Sequence, residues 1–146
     1  MYVEAIADGS HLPAELLQLI YKVKGPRRVC LVTDSMCAAG MPDGEYSLGG
    51  VPCIKENGVA KLMDRSAFAG SVATTDMLVR TFCNLTGAPL YDVVRMTSLT
   101  PAEMLGIGTR TGSIQVGKAA DLLVFDEDVQ LKHIVVAGRT EFSTLQ

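Results

Sequence analysis

Histidine is scarce in this 146-residue chain, which has only two, His11 and His133. They lie far apart in the sequence, and no H-x-H or H-E-x-x-H pairs either one with a second ligand. A catalytic zinc takes three protein ligands from His, Glu, Asp or Cys and keeps one position open. This spacing therefore excludes a complete mononuclear zinc site made by this chain alone, and no residue is assigned as a metal ligand. The four cysteines, Cys30, Cys37, Cys53 and Cys83, form no C-x-x-C pair. Cys30 sits in an apolar run and Cys83 in a helical pattern, so both read as small core hydrophobes in a reducing compartment. An excess of basic charge is missing too: the net charge is -3, which leaves no electrostatic footprint for nucleic acid. No apolar run reaches the roughly 18 residues of a membrane span. The start, Met1-Tyr-Val-Glu, lacks the basic head of a signal peptide. Cytoplasm is the expected compartment. The phosphate-cradling and nucleophile-elbow motifs G-x-x-x-x-G-K-[ST], G-x-G-x-x-G and G-x-S-x-G are absent as well.

What is present points to an α/β protein. Hydrophobic residues make up 48% and charged residues 20%, which fits a packed core. The length suffices for one ordinary domain but not for a whole α/β barrel, which needs about 250 residues. The organising stretch is Arg28-Val-Cys-Leu-Val-Thr-Asp34. Its apolar run, Val29 to Val32, reads as a strand buried on both faces, as in a parallel sheet covered by helices. In such folds chemistry sits just past the carboxyl ends of the strands, where Asp34 lies.

The chain before it supplies a second strand, Val3 to Ala7, broken by Asp8-Gly-Ser-His11. Pro13 suits the first turn of a helix, Leu16, Leu17, Leu19, Ile20 and Val23 give it an apolar face, and Gly25-Pro26 stops it. Strand, helix and strand make a βαβ unit with parallel strands. The Asp8/His11 loop and Asp34 should then fall at one end of the sheet. Further on, Asn57-Gly58 and Gly49-Gly50 between short β-like runs predict an antiparallel excursion. Thr74 or Thr75 opens a helix ended by Gly87, a second runs from near Leu90 to Ser98, and Thr100-Pro101 opens a short third. After Gly108, three strands are expected at Gly112–Ile114, Ala120–Asp126 and His133–Gly138. Asp34 reads either as a catalytic carboxylate or as a loop-closing residue. His11 alone reads as solvated, and it becomes a candidate only beside Asp34. Thr74, Thr75 and Asp76 read as a helix start, and His133 as structural.

Several stretches carry a resemblance: Leu31-Val-Thr-Asp-Ser-Met36, Ala39-Gly-Met-Pro-Asp-Gly-Glu-Tyr46, Leu48-Gly-Gly50, Phe68-Ala-Gly-Ser71, Ser98-Leu-Thr-Pro-Ala102 and Ile6-Ala-Asp-Gly-Ser-His11. They resemble N-acetylglucosamine-6-phosphate deacetylases, with Asp8 to His11 matching that family's D-G-x-H loop. Gly112 to Asp126 is similar to the wider C-terminal signature of amidohydrolase-type metal enzymes. The resemblance covers this whole chain but only about the last two fifths of the family's length. It implies an α/β fold: a partial (β/α)8 amidohydrolase barrel, its last βα units, plus the C-terminal strands of a small β-sandwich domain. Residues 1-107 would be the barrel part, with a β-hairpin insertion at 42-64, and 108-146 the β-segment.

By the same resemblance Asp34 would be the general base that activates a metal-bound water and then protonates the departing amine. Asp8, Gly9, Ser10 and His11 would contact the sugar-phosphate substrate, and Phe68, Ala69 and Gly70 would line the sugar pocket. The intact enzyme would use a divalent metal, zinc or iron, with none expected in this chain alone, because the family's ligands lie on earlier strands. The expectation is a fragment, inert by itself and forming a homo-oligomer, with neither nucleic acid nor membrane as partner. The alternative is a non-catalytic module that associates through exposed barrel edges with a second copy or an N-terminal half. A third reading keeps the barrel and changes the substrate to a cyclic amide or another N-acyl sugar.

Overall fold

A computed structural model describes residues 1–145. The expected βαβ unit forms. Strand β1 (Val3–Ala5) leads to helix α1 (Ala14–Lys24), and β2 (Val29–Leu31) returns parallel to β1 with Val3 opposite Val29 and Ala5 opposite Leu31. Both strands are shorter than their apolar runs. Every residue of β2 is buried, as a strand covered on both faces must be. Pro13 occupies the N-cap of α1, and Gly25 ends the helix by donating its N–H to the Tyr21 carbonyl.

The excursion after β2 is a three-stranded antiparallel meander: β3 (Gly44–Leu48), β4 (Val51–Glu56) and β5 (Val59–Leu62). Asn57 and Gly58 both take positive φ, the primed geometry that matches strand twist. Small residues from the loop after β2 pack against this meander, where Met36, Ala38, Cys53, Ala60 and Ala69 form a buried cluster.

Three helices follow: α2 (Thr75–Thr86), α3 (Leu90–Thr97) and α4 (Leu99–Met104). Gly87 closes α2 in the left-handed conformation. Their apolar faces meet α1 and β2 in the main core, centred on Leu17, Val29, Leu78, Phe82, Val93 and Met96. Burying a side chain the size of Phe82 or Leu17 contributes about 1.5–3 kcal/mol. A hydroxyl goes inside as well: Thr100 is fully buried and donates from Oγ1 to the Pro26 carbonyl at 2.7 Å.

The last part is a second antiparallel sheet, β6 (Leu122–Phe125), β7 (Leu131–Val136) and β8 (Arg139–Ser143). Phe125 and Val129 from this region reach the main core. Two expectations are corrected. Gly112–Ile114 is not a strand: it runs as an irregular loop with Ile114 87% exposed. Gly112 is wedged against α4, since a Cβ there would lie 2.9 Å from both the Leu99 Cα and the Ala102 Cβ. In addition, the chain turns at Ala137-Gly138, both at positive φ, and makes a further strand, β8, from residues too polar to stand out.

Candidate functional site

The loop after β1 closes on itself through one carboxylate. Asp8 Oδ1 accepts the backbone N–H groups of Ser10 and His11, each at 2.9 Å, and Oδ2 lies 2.8 Å from His11 Nδ1. Burial pushes the Asp8 carboxyl up, but the His11 and Ser10 N–H groups and the His11 ring outweigh it and hold its pKa below the usual carboxylate range. Gly9 takes φ +83 with the Thr81 methyl of α2 against it. The His11 ring lies against Phe68, their centroids 4.5 Å apart and their planes tilted by 36°.

Asp34 stands at the carboxyl end of β2, beyond the last ladder bond from Val32 N–H to the Ala5 carbonyl (3.0 Å). It is exposed and takes φ +48, a left-handed conformation that Asp tolerates better than most residues. Strain of this kind gathers at functional sites and persists where the surroundings over-determine it. Here the determinant is Ser71. Its N–H donates to the Asp34 carbonyl at 2.8 Å, its carbonyl accepts the Met36 N–H at 2.9 Å, and its hydroxyl donates to the Thr33 carbonyl. Ser35 and Ser71 form a parallel bridge, and the Ser35 hydroxyl donates to the Ala73 carbonyl. The segment Ser71–Ala73 thus runs beside Thr33–Met36 as a splint. The Asp34 carboxylate joins none of the ion pairs among the described residues.

The turn Phe68-Ala-Gly-Ser71 therefore bridges the two expected clusters, with Phe68 at one end against His11 and Ser71 at the other holding Asp34. Its middle residues serve the fold. Ala69 is buried against the meander and donates to the Ala60 carbonyl at 3.0 Å. Gly70 (φ +66) passes so close to Asp34 that a Cβ would sit 3.0 Å from the Asp34 carbonyl oxygen. Ser71, with Thr33 and Ser35, escaped sequence reasoning; the only signal was a serine closing a turn. His133 lies on β7, in the second sheet, where its Nε2 is 3.5 Å from the Thr140 hydroxyl. Thr74 is the N-cap of α2, as its pattern suggested, and Asp76 pairs with Arg80 at 2.8 Å one turn on.

An exposed carboxylate on a splinted backbone can move a proton, and an imidazole held at Nδ1 at the other end of the Phe68–Ser71 turn can bind polar groups of a ligand. A divalent metal does not fit on these residues alone, since no three His, Cys, Asp or Glu side chains gather among the described residues. No helix among them is long and apolar enough to cross a membrane.

Residues 5–141 match the model of the amidohydrolase family. The chain is 37% identical over 139 residues to a putative N-acetylgalactosamine-6-phosphate deacetylase of Escherichia coli K12, covering 94% of this chain and 81% of that protein. It is 34% identical over 142 residues to the N-acetylglucosamine-6-phosphate deacetylase of Lysinibacillus sphaericus, covering 97% of this chain but 36% of that one. Among solved structures, the N-acetylglucosamine-6-phosphate deacetylase of Pasteurella multocida superposes with a TM-score of 0.92 at 30% identity, over 97% of this chain and 37% of that one. The Mycobacterium smegmatis enzyme, solved as an aspartate-to-alanine mutant in complex with N-acetyl-D-glucosamine-6-phosphate, superposes at 0.90 with 34% identity, over 96% and 37%. The chain thus spans little more than a third of the length of most of these relatives. A parallel βαβ unit that carries an acid past its strand end, and a family match running from Ala5 to Glu141, lead to one conclusion: the chain belongs to the amidohydrolase family.

Proposed function

We propose that this chain is the C-terminal part of a deacetylase acting on an N-acetylated hexosamine 6-phosphate, releasing the free amino sugar phosphate and acetate. Residues 1-107 supply the last βα units of a (β/α)8 barrel with its hairpin insertion at 42-64, and 108-146 the C-terminal strands of a small β-sandwich domain. The observation that carries this reading is the convergence of the β1 loop, the end of β2 and the Phe68–Ser71 turn on one rim, where His11 meets Phe68 and Ser71 holds Asp34. It is supported by the superposition on deacetylase structures.

In this mechanism the Asp34 carboxylate takes a proton from the attacking water and returns it to the amide nitrogen as the C–N bond breaks. A carboxylate can carry both transfers when it is rigid and within reach of both atoms. His11 contacts the sugar phosphate and Phe68 offers it an apolar wall. Asp8, Gly9 and Ser10 shape that contact, while Ala69 and Gly70 set the wall's distance from Asp34. The zinc or iron of the intact enzyme would be held by residues outside this chain, so the chain alone is inert. Names for both 4-epimers occur among the relatives, at 37% and 34% identity, so both are candidate substrates.

The test is acetate release from N-acetylglucosamine 6-phosphate and N-acetylgalactosamine 6-phosphate by the intact enzyme that carries this chain. Asp34→Asn should lower kcat by about 10²–10⁴-fold, the usual worth of a positioned acid–base group. Turnover close to wild type in that variant would remove Asp34 from the chemistry.

A second reading, a non-catalytic module that associates with another copy or with an N-terminal half, is favoured by the second sheet. Its strands expose Leu123 and Phe142, which flank Ile134 on one face of the sheet, and Val124 on the other. Sedimentation of the chain tests the association: a stable dimer supports it, and a well-behaved monomer opposes it.

A further inference from the structure

We propose that Asp8 is a positioning residue that sets the tautomer of His11 and does not itself contact the substrate. Both carboxylate oxygens are engaged within the loop. Oδ1 holds the N–H groups of Ser10 and His11 at 2.9 Å each, and Oδ2 faces His11 Nδ1 at 2.8 Å. A carboxylate at neutral pH only accepts hydrogen bonds, so Nδ1 must carry the proton. In the neutral imidazole the opposite nitrogen, Nε2, is then a bare acceptor, suited to a sugar hydroxyl. Phe68 packs against the same ring and fixes its plane, so tautomer and tilt are both set before a ligand arrives. That His11 faces a sugar phosphate rests on the function proposed above; the control of its tautomer by Asp8 does not.

The replacement Asp8→Asn separates the loop from the tautomer. Its amide oxygen can keep the two backbone N–H groups, while its NH2 replaces Oδ2 opposite Nδ1 and demands an acceptor there. Long-range 1H–15N correlation spectra of the 146-residue chain at alkaline pH read the tautomer directly, with His133→Gln removing the second histidine. The wild-type chain should show His11 protonated at Nδ1, and Asp8→Asn should invert the ratio towards Nε2–H. A wild-type His11 protonated mainly at Nε2 overturns the proposal without any variant at Asp8. An unchanged ratio in a folded Asp8→Asn chain overturns it as well. Adding N-acetylglucosamine 6-phosphate to the wild-type chain then tests the other reading: His11 shifts that move support the sugar-phosphate contact. Shifts that stay put while the tautomer inverts as expected refute the substrate assignment alone.

Discussion

Replacing Gly70 by Ala tests whether the turn that carries Phe68 also dictates where Asp34 stands. Gly70 has φ +66, and holding an L-residue there costs about 1–2 kcal/mol. The new Cβ would also meet the Asp34 carbonyl oxygen at 3.0 Å. That oxygen cannot simply retreat, because it accepts the Ser71 N–H at 2.8 Å. Relieving the contact by bending bond angles or the peptide plane adds about 1 kcal/mol. The entropy that Ala removes from the unfolded chain returns about 0.4–1 kcal/mol. Gly58→Ala is the control: its φ is +75, and a Cβ there meets nothing within 4 Å. It carries the same conformational cost and the same unfolded-state gain, so the difference between the two variants isolates the contact with Asp34. Urea unfolding, with a slope of about 1–3 kcal/mol per M, should place the Gly70→Ala midpoint roughly 0.5 M below that of Gly58→Ala. Hydrogen exchange at the Ser71 amide should speed up in Gly70→Ala alone. Coincident midpoints and an unchanged Ser71 rate would refute the claim that Gly70 is there to clear Asp34.

Other outcomes follow from the core and from one half-buried phenol. Phe82 is fully buried and stands edge-on to Tyr21 at 5.9 Å, so Phe82→Ala should cost about 3–5 kcal/mol by urea unfolding; a loss below about 1 kcal/mol would contradict its place in the core. The Tyr21 hydroxyl donates to Asp92 Oδ2 at 2.5 Å and ties α1 to α3. That hydrogen bond first, then burial and the Asp92 charge, push the Tyr21 pKa up to about 12. Because the folded value lies above the unfolded value of about 10, the contribution is whole below pH 10 and is lost as pH rises towards about 12. Tyr21→Phe should cost about 1 kcal/mol at pH 7 and flatten the stability–pH curve above pH 10, measured by denaturation at several pH values. A wild-type curve already flat there would count against the Tyr21–Asp92 bond.

Much of the fold was legible in the residues because local signals agreed with one another. The apolar run before Asp34, the proline opening α1 and the glycine closing α2 each name one conformation. Asn57-Gly58 does the same for the meander. Where local signals were weak, the reading failed. Gly112-Ser-Ile114 has strand-like composition, yet Gly112 must fit against Leu99 and Ala102, a constraint from 10 or more residues away. Strand β8 carries Arg139, Thr140 and Glu141, which signal nothing until β7 offers them a ladder.

The candidate site divides in the same way. That Asp34 ends a buried parallel strand, and that Asp8 and His11 share its end of the sheet, follow from periodicity and from the short crossover, because a βαβ unit has essentially one arrangement. The left-handed backbone of Asp34, the splint from Ser71 and the tilted contact of Phe68 with His11 were decided only in three dimensions. Those contacts join residues 34 to 71 and 11 to 68, separations over which composition carries no signal. Hydrogen bonds and van der Waals contacts act over a few ångströms, and only the packed chain determines which distant residues come that close.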